Sequence, residues 1–94
     1  MIKINGNDIY RDSQKIGYID DNYIKSHDGD KLGYFDQKYV YDLHANKLAY
    51  IYGRNLVSQS DNDVKTDIDE INKFITGGVL SEIGRCAIYM LLGN

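Results

Sequence analysis

Ninety-four residues suffice for one small domain, or one compact repeat array with an appendage, that buries little more than about 60% of its extended-chain surface. A net charge of −3 and a pI near 5.1 argue against a nucleic-acid partner held through its phosphates. Cys86 is the single cysteine, so no internal disulfide forms; with a start, MIKINGNDIY, that lacks the basic-then-apolar order of a secretion signal, this leads to the expectation of a cytoplasmic protein.

From the N-terminus onward the chain repeats itself. Gly17-Tyr18-Ile19-Asp20 aligns without gaps with Gly33-Tyr34-Phe35-Asp36 and with Ala49-Tyr50-Ile51-Tyr52, a step of 16 residues each time. Tyr23-Ile24, Tyr39-Val40 and Asn55-Leu56 agree in the same register, and each unit closes on a Lys-apolar pair: Lys15-Ile16, Lys31-Leu32 and Lys47-Leu48. The N-terminal stretch fits as a degenerate first unit, with Ile4, Ile9 and Tyr10 in the apolar places and a turn one residue shorter. The reading is a mainly β, α+β protein: four hairpin units over residues 1–58, stacked as a solenoid or arranged radially, then a polar connector over 59–65 and a helical segment over 66–94.

Each unit carries the marks of a hairpin. β-Branched and aromatic residues dominate, the apolar-polar alternation is present though imperfect along Lys31-Leu32-Gly33-Tyr34-Phe35, and the chain has no proline. Turns are expected at Asn5-Gly6-Asn7, Asp20-Asp21-Asn22, Asp36-Gln37-Lys38 and Gly53-Arg54-Asn55 within units. Between units they are expected at Asp28-Gly29, with the positive φ at both central residues of a type I′ turn, and at Ala45-Asn46. Gly17, Gly33 and Ala49 are small residues inside strands, which points to bulges or to a ring packed over them.

Past the polar run Ser58–Asp63 the composition changes. Residues 61–94 hold three basic and six acidic residues and so carry the whole negative balance, while nine of the eleven aromatics lie before residue 53. Thr66 or Asp67 can cap a helix, with Asp69 and Glu70 in its first turn and Ile68, Ile71 and Ile75 at helical spacing; Thr76-Gly77-Gly78 breaks it. From Ile83 to Leu92 nearly every position is apolar, which calls for burial on several sides. Two covers suit it: a subunit interface through Ile83, Ala87, Ile88, Met90 and Leu91, or the hairpin array itself with the helix as its core. The run from Cys86 to Leu92 is far short of the ~18–20 residues that span a bilayer.

Candidates for chemistry are few. His27 and His44 sit near equivalent turns beside Asp28, Asp30 and Asp42, but their spacing matches no zinc or facial-triad pattern. Asp28-Gly29-Asp30 and Asp61-Asn62-Asp63 lack the ligand ladder of a calcium loop and read as turns. Cys86, among Ile, Ala and Met, reads as a buried structural thiol. No catalytic residue, metal or cofactor is assigned. The recurrent Tyr18, Tyr34 and Tyr50, with Tyr23 and Tyr39 in a second register, are either packing between repeats or a ligand platform for sugars, amines or peptides.

The units Gly17–Ile24 and Gly33–Val40, each introduced by Lys-apolar, resemble those of bacterial 4-fold β-flower proteins over about residues 1–58. That resemblance implies hairpin petals with approximate fourfold symmetry and a family of uncharacterised function, with no functional residues to carry over. More distant is a similarity to WG-type and choline-binding wall repeats, both built on Trp, which this chain lacks. The expected function is a non-enzymatic, homo-oligomeric structural or interaction module. The alternative is a carbohydrate- or small-ligand-binding repeat using the tyrosines; an enzyme would need His27 and His44 brought together in a cleft.

Overall fold

A computed structural model describes residues 1–59 and 63–93. The described chain is mainly β with a C-terminal helix. Nine strands follow one another as an antiparallel meander: β1 (Ile2–Asn5), β2 (Asp8–Arg11), β3 (Gln14–Asp20), β4 (Tyr23–Ser26), β5 (Lys31–Phe35), β6 (Tyr39–Asp42), β7 (Lys47–Tyr52), β8 (Asn55–Ser58) and β9 (Val64–Asp67). Then come α1 (Ile68–Phe74), the short β10 (Ile75–Thr76), which pairs in parallel with β1, and α2 (Glu82–Leu92).

The register accounts for the broken alternation. Opposite β4, Ile24 pairs with Gly33 and Lys25 with Lys31, so Leu32 is the extra residue of a bulge. Val40 pairs with Ala49 and Tyr41 with Lys47, leaving Leu48 in the same position; Ile9 with Gly17 and Tyr10 with Lys15 leave Ile16. The apolar member of each Lys-apolar pair is thus the bulged residue. A bulge sets two consecutive side chains against one partner residue, so Leu32 and Gly33 both turn toward the core. Across the inner face Ile9, Ile24, Val40 and Leu56 are buried, as are Ile4 and Ile19.

The loops at Asp28-Gly29 and Ala45-Asn46 are not type I′ turns. Gly29 takes φ +91° while Asp28 does not join it in the left-handed region; the Gly29 amide donates to the Ser26 carbonyl at 3.0 Å and the Ser26 amide to the Asp30 carbonyl at 2.9 Å. The loop Asp42–Asn46 repeats both bonds, Ala45 to Asp42 at 3.3 Å and Asp42 to Asn46 at 3.0 Å, and Ala45 carries φ +65°. Both are longer loops closed by one left-handed residue. The left-handed pair expected at Asp28-Gly29 occurs instead at Asp12 (φ 50°) and Ser13 (φ 72°).

A flat sheet of ten strands spaced about 4.8 Å apart would be roughly 43 Å across. The longest extent of the molecule is 32 Å, and a helix of seven residues, about 10 Å long, joins β9 at one end of the strand order to β10 at the other. The sheet is therefore curled, and α2 packs on its inner face against β4, β5 and β6, with α1 beside it. Ile83, Cys86, Ala87 and Ile88 of α2 belong to the same core as the inner strand residues.

Two expectations for the C-terminal segment are corrected. Residues 64–67 form β9, across the end of the expected connector and the start of the expected helical segment, because β8 offers a free edge to Val64, Lys65, Thr66 and Asp67. Ile75 and Thr76 leave α1 to pair with β1, so Ile75 is buried as a strand residue despite its helical spacing from Ile71. Asp67 caps α1, accepting from the Asp69 amide, and Ser81 caps α2, accepting from the Gly84 amide at 3.2 Å. Ser60, Asp61 and Asn62, which include most of the second acidic group and part of the polar connector, lie outside the described residues.

Candidate interaction surface

Strand alternation sends the tyrosines to the face opposite the core. Tyr23 pairs in register with Tyr34, Tyr34 with Tyr41, and Tyr39 with Tyr50, so the rings fall into neighbouring places on the outer surface. All of them are half-buried. Tyr34 and Tyr41 stack with centroids 4.7 Å apart and planes 13° from parallel. Tyr23 tilts against Tyr34 at 5.5 Å, and Tyr39 lies 6.1 Å from both Tyr41 and Tyr50. Tyr34–Tyr41 ties two strands of one unit, while Tyr23–Tyr34 and Tyr39–Tyr50 tie successive units. Of the three tyrosines singled out by sequence, none stacks on another: Tyr34 and Tyr50 pair with rings of the second register, and Tyr18 receives two lysines.

Lysines complete this face. Lys31 Nζ lies 4.4 Å from the Tyr23 ring centre and Lys47 Nζ 4.2 Å from that of Tyr39, the same contact one unit apart. Lys38 lies 5.5 Å from the Tyr39 ring, and Lys15 and Lys25 lie 5.2 and 5.7 Å from Tyr18. Carboxylates occupy fixed places between them. Asp20 accepts from Lys25 Nζ at 2.7 Å; one unit on, Asp36 accepts from the Tyr41 hydroxyl at 2.7 Å, so a tyrosine O–H replaces an ammonium at the equivalent position. Asp36 also accepts from the Lys38 and Tyr39 amides at 2.8 and 2.7 Å. The Tyr41 bond, followed by the two amides, holds the Asp36 carboxyl below its ordinary range, and the same bond pushes the Tyr41 hydroxyl up to about 12. Lys25 lowers the Asp20 carboxyl in the same way.

Sequence spacing missed Tyr41, Lys31 and Lys47 as parts of this surface. The signal was present: Tyr41 stands two residues from Tyr39 on a strand and so shares its face, and Lys31 and Lys47 recur one unit apart.

The remaining candidates scatter. Over Gly17 and Gly33 lie no rings but the side chains of α2: a Cβ on Gly17 would come within 3.0 Å of Leu92 Cδ1, and one on Gly33 within 2.9 Å of Leu91 Cδ1. Ile83, Ala87 and Ile88 are covered within the single chain, while Met90 and Leu91 stay half-buried. His27 and His44 are exposed on separate turns, His27 Nε2 lying 3.2 Å from Asp28. Asp42 accepts from the His44 and Asn46 amides, at 2.8 and 2.9 Å, which is turn chemistry. Among the described residues no three His, Cys, Asp or Glu side chains converge as metal ligands. Cys86 is fully buried, and burial, with a lesser contribution from Glu82, pushes its thiol up to about 12, far from a nucleophile's range.

Charged contacts pin the helices to the sheet. Arg54, in the turn between β7 and β8, donates to Asp69 of α1 at 2.7 Å and to Glu82 of α2 at 3.1 Å. Arg11 Nη2 donates to the Leu92 carbonyl at 2.9 Å, placing a cation at the negative end of α2. A cleft of about 450 Å³ lies between Asn22, Phe35, Asp36 and Gln37 on one side and Ser81 and Ile83 on the other, and a second of about 470 Å³ is lined by Arg11, Asp12, Gln14, Lys15, Ile16 and His27. No described helix is long and apolar enough to cross a membrane. The chain matches no family model, no curated protein and no solved structure.

Proposed function

We propose that this chain is a non-enzymatic structural and interaction module in which four hairpin units are set radially around α2 and the outer tyrosine-lysine face is the contact surface. The observation that carries this reading is the ring ladder from Tyr23 through Tyr34, Tyr41 and Tyr39 to Tyr50, half-buried and already ordered by stacking. Tyrosines held in place lose little rotamer freedom on binding, which is why such rings serve interfaces well. The bulges at Ile16, Leu32 and Leu48 support the radial arrangement, since each bends its strand at the same point of its unit.

Homo-oligomer formation is part of the proposal, through the half-buried end of α2 at Met90 and Leu91, while Ile83, Cys86, Ala87 and Ile88 of that helix are covered by their own chain. Light scattering after size exclusion, on the full chain and on Met90→Glu, tests it. A multimer that Met90→Glu turns into a monomer supports the assembly; a monomer at every concentration of the unaltered chain removes it. A glycan platform is less well supported, because Tyr34 and Tyr41 cover each other's faces and ammonium groups lie over Tyr18, Tyr23 and Tyr39.

A further inference from the structure

The outer face has a charge balance opposite to that of the whole chain. The protein carries −3, yet Lys31, Lys38 and Lys47 meet the tyrosine ladder and Lys15 and Lys25 lie over Tyr18 on the same face. Lys15 and Lys25 are neutralised by Asp8 at 3.0 Å and Asp20 at 2.7 Å. Asp36, the other carboxylate at this surface, is occupied by the Tyr41 hydroxyl and two amides. Lys31, Lys38 and Lys47 are exposed and, among the described residues, form no ion pair. Five ammonium groups against the carboxylates of Asp8, Asp20 and Asp36 leave this face net positive, with Lys31, Lys38 and Lys47 standing, among the described residues, free of contact ion pairs over rings that are already immobilised.

We infer that this face binds an acidic polypeptide segment, its carboxylates meeting Lys31, Lys38 and Lys47 where these lie over Tyr23 and Tyr39. The inference rests on the interaction-module reading and names the partner's chemistry. β5 and β7 are separated by one strand, so Lys31 and Lys47 stand on strands roughly 10 Å apart, a span that about three residues of extended peptide cover. The surface itself holds carboxylates in this manner twice, Asp20 on Lys25 and Asp36 on Tyr41, at 2.7 Å each. A nucleic acid fits less well, because base stacking needs free ring faces and those of Tyr34, Tyr41, Tyr23 and Tyr39 are covered by rings or ammonium groups.

The test is an amide chemical-shift titration of the full chain with a short oligo-glutamate peptide, and in parallel with oligo-thymidylate. The peptide is expected to shift Tyr23, Lys31, Tyr39, Lys47 and Tyr50 and to bind more weakly as salt rises. Lys31→Glu with Lys47→Glu is expected to weaken it about tenfold or more, and Lys31→Gln with Lys47→Gln to weaken it less. The unliganded spectra of both variants show whether they remain folded. The inference is overturned if oligo-thymidylate shifts these residues and the peptide does not, if neither does, or if the charge-reversed chain binds as well as the original. Light scattering reads self-association separately, so loss of the acidic partner would leave the module reading standing.

Discussion

The hairpin strands of residues 2–58 and the helix over Glu82–Leu92 contribute to one core in different ways. Strands do so by parity: every second side chain faces inward, and a bulge shifts the parity just where an extra apolar residue is needed. The helix is apolar nearly all round and is accommodated by the absence of side chains beneath it, Leu91 over Gly33 and Leu92 over Gly17. At the third equivalent place stands Ala49, fully buried but with a Cβ, so the sheet approaches the helix unevenly. The glycines of this sheet belong as much to the helix as to the strands that contain them.

If the helix is part of the core, the largest loss follows from emptying the space it fills. Ile88→Ala, at a fully buried position of α2, is expected to cost about 3 kcal/mol, measured by urea unfolding. A loss of a few tenths would mean that α2 does not pack as described. Gly33→Ala comes next, at about 2 kcal/mol, because its Cβ would stand 2.3 Å from the Tyr41 carbonyl as well as against Leu91. Ala49→Gly at the equivalent place should cost about 1.5 kcal/mol, from the buried methyl lost together with the added backbone freedom. A Gly33→Ala variant as stable as the original would show that neither the Tyr41 carbonyl nor Leu91 lies against Gly33.

Smaller effects sharpen the comparison between units. Ala45 occupies with φ +65° the place that Gly29 fills one unit earlier, and a Cβ is disfavoured there. Ala45→Gly is expected to stabilise the chain by about 0.5 kcal/mol, the relieved strain being partly offset by glycine's freedom when unfolded. A destabilised Ala45→Gly variant would deny the two loops their common geometry. Tyr41→Phe bears on the pH dependence of stability as well as on the midpoint at neutrality. The Tyr41 hydroxyl is raised from its ordinary 10.0 to about 12, so its contribution is complete below pH 10 and disappears as pH climbs through about 12. Asp36 is lowered from 3.8, so its contribution is present above that value and disappears as pH falls below it. Tyr41→Phe should flatten the alkaline limb of a stability-pH curve and reduce the acid limb, where the Lys38 and Tyr39 amides still favour the Asp36 carboxylate. Unchanged limbs would mean that the Tyr41–Asp36 bond does not persist in solution.

Much of the strand order could be read before any coordinates. Tyr23-Ile24, Tyr39-Val40 and Asn55-Leu56 mark strands, and polar pairs such as Gly53-Arg54 mark the turns joining them, because turn chemistry and β-branched content act locally. The burial of Cys86 was legible from its apolar neighbours. The candidate surface was legible only in part: Tyr18, Tyr34 and Tyr50 do lie on it, but their partners Tyr41, Lys31 and Lys47 emerge only once the register is known. Thr66 and Ile75–Thr76 belong to the expected helical segment because they adjoin a capped helix, and only β8 and β1 supply the competing hydrogen bonds.

By itself, then, the order of residues determined local conformation: where the chain extends, where it reverses, and which small or apolar positions recur. Tertiary structure decided which side of the sheet the rings occupy and what rests on Gly17 and Gly33. Alternation assigns side chains to two faces without saying which one is inward, and that choice waits until bulged strands curl far enough to enclose a helix from the opposite end of the chain.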